Sequence, residues 1–192
     1  MVPKAEIAHW LAASVALFFG LVLLSEVIVG SEVFRRRWWR AYLWPSLALV
    51  SGVLLWVIVA FSTFSTMHLL AHAVWAQVAM IAGALQFAVV RGKLASPRWS
   101  LVIAGGLVVC GLAFVVHEQN PWLYSRSAFL HHALGWTLVV AALFPLGQAL
   151  WPKRTVWHAG FAFTFIAVAV LLYADRDVAP IFGHLSDVAG AP

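Results

Sequence analysis

The stretch WSLVIAGGLVVCGLAFVVH, residues 99–117, contains no Asp, Glu, Lys or Arg. As a helix rising about 1.5 Å per residue it reaches nearly across the roughly 30 Å of a bilayer's hydrocarbon core. A helix on a water-soluble protein would show a polar stripe along such a length. Five more stretches read the same way, at about 7–29, 41–62, 67–90, 128–150 and 156–174. With 99–117 as the fourth, they make six spans, numbered here in chain order. Their apolar residues run continuously rather than alternating, which favours helices over a membrane barrel. The fold class that follows is all-α, a polytopic six-helix membrane bundle. Residues 1–192 form one integral membrane domain, with a polar tail at 175–192.

Composition supports this. Hydrophobic residues make up 64% of the chain and charged residues 10%, against about a quarter charged in soluble domains. The net charge of +5 does not point to nucleic acid, because the basic residues sit in short clusters between spans. Arg35, Arg36, Arg37 and Arg40 follow span 1. Arg91, Lys93 and Arg98 follow span 3, and Lys153 and Arg154 follow span 5. By the positive-inside rule these loops face the cytoplasm of a bacterial-type plasma membrane, and both termini lie outside. Trp38, Trp39, Trp44, Trp99, Trp151 and Trp157 flank the basic loops as an interfacial belt. The basic run comes after the first apolar stretch, not before it, so span 1 reads as a retained helix rather than a signal peptide. Pro45 and Pro145 mark expected kinks near the basic ends of spans 2 and 5. Cys110, the single cysteine, permits no internal disulfide, cysteine zinc site or iron–sulfur cluster.

The histidines are unevenly placed. His9, His68, His72, His117, His131, His132 and His184 all map to the expected outer face, and His158 alone to the other. Ile7-Ala8-His9-Trp10-Leu11, Leu70-Ala71-His72-Ala73-Val74 and Leu130-His131-His132-Ala133-Leu134 open spans 1, 3 and 5 alike. That suggests three helical hairpin repeats, each opening with a histidine. Ionisable groups within a spanning segment are expensive and usually functional, and imidazole binds copper, zinc and haem iron. Two chemistries fit. A haem needs two imidazoles from different helices at one depth, and His72 with His131 or His132 would serve. Gly135, one turn after His131, would leave room for a flat group or serve close helix packing. A copper or zinc ion needs several donors converging, and His68, His72, His117 and His131 are candidates, with Glu118 as ligand or orienting acceptor. His9 is a candidate for a second site. His158, beside Trp157, reads as an interfacial residue.

No Asp, Glu, Lys or Arg lies near mid-span, which weakens a proton-pump or ion-coupled transporter reading. Phosphate-loop, dinucleotide, zinc-protease and nucleophile-elbow motifs are absent from the sequence. The polar loop Glu118-Gln119-Asn120 with Tyr124 presents no arrangement assignable to catalysis, so enzyme activity is neither indicated nor excluded.

Ile7-Ala8-His9-Trp10-Leu11-Ala12, opening an apolar helix, resembles the first helix of bacterial b-type membrane cytochromes. His131-His132-Ala133-Leu134-Gly135-Trp136 is similar to a later helix start in that family. The resemblance implies haem b, with His9 and His131 or His132 as ligands, and electron transport with a redox partner. The overall plan also resembles CopD-like copper-resistance membrane proteins, with Met67-His68 and His117-Glu118 as the residues suited to that role. This second resemblance implies copper binding and a copper-binding protein as outer partner. Haem ligation for electron transfer is the leading expectation and copper the alternative. A third reading from another class is a cofactor-free structural subunit among other membrane subunits, its histidines engaged only in hydrogen bonds.

Overall fold

The computed structural model describes residues 4–62, 66–116 and 124–174. Helix α1 (Lys4–Val29) is followed by the short α2 (Ser31–Arg35) and a 3-10 segment (Trp38–Tyr42). Then come α3 (Leu43–Ser62), α4 (Thr66–Val90), a 3-10 turn (Pro97–Trp99) and α5 (Ser100–Val115). The chain ends in α6 (Tyr124–Ala141), α7 (Leu143–Leu150) and α8 (Thr155–Ala174). The described residues contain no strand. Six helical segments are long and apolar enough to cross a membrane, with α6 and α7 together making the fifth. The protein is an integral membrane, all-α bundle. The tail at 175–192 lies outside the described residues.

Each span keeps its backbone hydrogen bonds within itself, which lipid demands because it offers no replacement partners. Side-chain hydroxyls inside the spans follow the same rule. Ser51 Oγ donates to the Leu47 carbonyl (2.6 Å) and Thr164 Oγ1 to that of Gly160 (3.1 Å). The outward faces carry large apolar side chains such as Leu11, Phe18, Val50 and Phe163, as a lipid-facing surface should.

The two prolines behave differently. Pro145 has no N–H to give the Ala141 carbonyl, and its ring crowds that carbonyl. The helix breaks there. Residue 142 is a turn, and its N–H is shared between the Leu138 and Val139 carbonyls (3.1 and 3.3 Å). The expected kink in span 5 is thus present. Pro45 stands in the first turn of α3, where an N–H would have no intrahelical partner in any case, and α3 continues unbroken.

Helix pairing is set by small residues. Lipid tails are as apolar as leucine, so apolar surface gives no drive for helices to associate. Close backbone packing supplies it instead. The most extensive contacts are α1 with α8, α3 with α4, and α5 with α6. In the α5–α6 pair, a Cβ on Gly135 would lie 2.6 Å from the Gly111 carbonyl oxygen, and one on Gly111 would lie 2.5 Å from that of Gly135. Neither position has room for a side chain. Comparable contacts join α3 to α4, through Gly52 at the Ala76 carbonyl (2.7 Å) and Gly83 at the Pro45 carbonyl (2.8 Å). Gly20 meets the Ala162 carbonyl (3.0 Å) between α1 and α8. A hydrogen bond between Ser14 Oγ and Tyr173 Oη (2.7 Å) also ties α1 to α8. Spans 1, 3 and 5 therefore pack most closely on the span that precedes them in the ring, not the one that follows. The packing unit is out of phase with hairpins that each open on a histidine. The fifth span is the most enclosed of the six.

Substituting Gly135 with valine should lower the unfolding midpoint in detergent, by an overpacking cost of about 1–3 kcal/mol. Gly105→Ala, at a position where a Cβ meets nothing within 4 Å, should leave the midpoint unchanged. A thermal unfolding series of the two purified variants checks this.

Candidate functional site

His9, His72 and His131 occupy one register in the three tight pairs. Four residues after each comes a buried small residue: Ala13, Ala76 and Gly135. Eleven residues after each comes another: Gly20, Gly83 and Ala142. An i+4 neighbour shares a helix face, so each of these histidines stands above a small residue that lets the partner helix approach. All three are half-buried. His132, turned about 100° further round α6 by helical geometry, is exposed. Of the two adjacent histidines, His131 is the one directed at the packed face.

The pair His72 and His131 is brought together by Phe114 of α5. The Phe114 ring centroid lies 5.8 Å from the His72 imidazole, edge-on at 73°, and 5.8 Å from the His131 imidazole, tilted at 32°. The two imidazoles are therefore no further apart than twice that distance. Trp75, three residues after His72 on the same face of α4, packs edge-on against the same ring at 5.5 Å. Phe114 itself is 9% exposed. Three helices from two packing pairs thus contribute to one aromatic cluster at the histidine end. Such ring pairs contribute about 0.5–1.5 kcal/mol each beyond their packing area.

His68 lies in α4 one turn before His72, and its side chain is outside the described residues. His117, Glu118 and His184 also lie outside them. No group of three or more His, Cys, Asp or Glu side chains assembles among the described residues. His9 belongs to the α1–α8 pair, at the register of the other two. His158 is exposed, and its Nε2 donates to the Pro152 carbonyl (3.1 Å) at the basic end, as an interfacial residue would. Gly135 resolves to close packing: the space above it holds the backbone of α5, not a slot.

Phe114 was not singled out by the sequence reading. One phenylalanine in a continuously apolar span carries no signal by itself. The available clue was its place three residues before His117, which puts it at the depth of the histidine cluster. No family model matches the chain, and neither a curated protein nor a solved structure matches it.

Phe114→Ala should cost about 3 kcal/mol in unfolding free energy. That is the low end for a buried phenylalanine, since lipid lessens the transfer contribution but not the lost packing. Phe114→Leu should cost clearly less. Denaturant unfolding in a single detergent, read by tryptophan fluorescence, measures both.

Proposed function

We propose that this protein is a membrane metalloprotein that binds a single transition-metal ion, copper before others, through imidazoles at its histidine end. The observation that carries the proposal is the meeting of His72 and His131, from two different helix pairs, on one buried ring. A second imidazole, His68, precedes His72 by one turn, and His117-Glu118 follows α5, the helix that supplies Phe114. The described donors come from two helices, His72 on α4 and His131 on α6, and the sequence supplies further donors next to them. Imidazole suits copper and zinc, and Met67, next to His68 in the sequence, is of a residue type whose thioether favours Cu(I). A copper-binding protein at the same face is the partner this chemistry calls for.

Haem b ligation for electron transfer is the second reading, and it rests on the same two imidazoles. It asks more of the fold. A porphyrin between His72 and His131 requires the Phe114 ring to leave its contact with both, and the Gly135 position, filled by α5, offers no slot. A single ion also needs both imidazoles to turn toward each other past Phe114, but it needs no flat slot between the helices. A cofactor-free subunit remains the rival from another class.

The test is copper titration of the detergent-purified protein, with an optical spectrum taken on the same sample. His72→Ala and His131→Ala should each weaken Cu(II) binding at least about 10-fold, since even losing a residue that merely orients a ligand costs that much. His132→Ala should leave affinity unchanged. A sharp α-band after reduction would move the assignment to haem. A protein that binds neither copper nor haem in isolation would be read as a structural subunit.

A further inference from the structure

The end of the bundle opposite the histidines carries a folded basic connector. α1 ends at Gly30, whose φ of +86° is left-handed backbone that glycine adopts without strain. The chain then turns into α2, anchored inward by Phe34, which is 6% exposed. Arg35 Nε donates to Glu26 Oε1 at 2.8 Å, so this carboxylate is already neutralised. The connector's remaining carboxylate is Glu32, set against Arg36, Arg37 and Arg40. Arg40 lies over the Phe34 and Trp39 rings, each at 5.6 Å. Arg36 and Arg37 are exposed, and the described residues show neither in an ion pair. Next to them Trp38 is 75% exposed and Trp39 45%. Tyr42 packs against Phe87 at 5.6 Å. Arg91 lies one helical turn beyond Phe87 and Lys93 just after it, both exposed, so the second basic loop flanks the same surface.

Two unpaired guanidiniums beside two exposed indoles, on a segment fixed by Phe34, match a specific ligand chemistry. Guanidinium binds phosphate oxygens in a planar, bidentate way. Indole settles at the depth where headgroup meets acyl chain. We propose that the Ser31–Tyr42 connector is a binding site for the headgroup of an anionic phospholipid. Arg36 and Arg37 hold the phosphodiester, and Trp38 packs against the glycerol and upper acyl region. Arg91 and Lys93 add to the local positive potential. Free phosphate satisfies only the arginines and leaves Trp38 in water, so the lipid is the occupant that uses the whole surface. The site is independent of any metal at the other end.

The experiment is native mass spectrometry of the full chain in detergent, with phosphatidylglycerol or phosphatidylcholine added at equal mole ratio. The unsubstituted protein should retain phosphatidylglycerol at least about tenfold more than phosphatidylcholine. R36Q/R37Q should abolish most of that preference, at about fivefold per arginine. K153Q/R154Q, removing two exposed cations from another loop of the same end, should keep it. W38A should weaken retention of phosphatidylglycerol while inorganic phosphate fails to compete. Equal retention of the two lipids would overturn the proposal. So would equal losses in the two double variants, or full competition by inorganic phosphate.

Discussion

Close approach of helix backbones is the constraint from which the rest of this structure follows. In a bilayer, two apolar helices gain nothing by leaving lipid for each other. They associate only where van der Waals contact is closer than lipid chains can provide. At Gly111 and Gly135, the carbonyl of each helix occupies the space a Cβ of the other would need. The Gly52–Ala76 and Gly20–Ala162 contacts do the same for the other two pairs. Because each of these contacts lies at a fixed interval from a histidine, packing also decides the depth and facing of His9, His72 and His131.

That coupling explains how a bundle of continuously apolar helices can hold polar rings in a defined place. The spans have few polar groups, and those they have are tied to backbone carbonyls, as at Ser51 and Thr164. The imidazoles of His72 and His131 lie at the end of tight pairs and against one aromatic ring. Phe114 bridges the α3–α4 and α5–α6 pairs at a level where the pairs otherwise meet through ordinary apolar contacts. It sets the distance between two candidate ligands without itself being able to bind a metal.

The spans were readable from sequence because a run such as residues 99–117 has no other stable solution in lipid. The fifth span is divided at a break that Pro145 already marked. The partner of each helix was not readable. Gly111 and Gly135 are recognisable as small, but which helix they meet is a property of the assembled surface. The choice between His131 and His132 had the same origin. Both open span 5, and only the position of Gly135 one turn below His131 shows which one faces inward. Short similar strings open spans 1, 3 and 5, and each of these spans packs most closely on the span before it rather than the one after. The connector at Ser31–Tyr42 was legible as charge and tryptophan, but not as a folded segment anchored by Phe34.

The proposed site requires imidazoles from separate helix pairs to converge on one metal ion. X-ray absorption at the copper edge, on protein loaded with one equivalent of copper and freed of excess, tests it most directly. The expected spectrum has nitrogen neighbours at about 2 Å with the multiple-scattering pattern of two or more imidazoles, reduced by one in His131→Ala. A copper environment with no imidazole scattering, or the same spectrum in His131→Ala as in the unsubstituted protein, would contradict it.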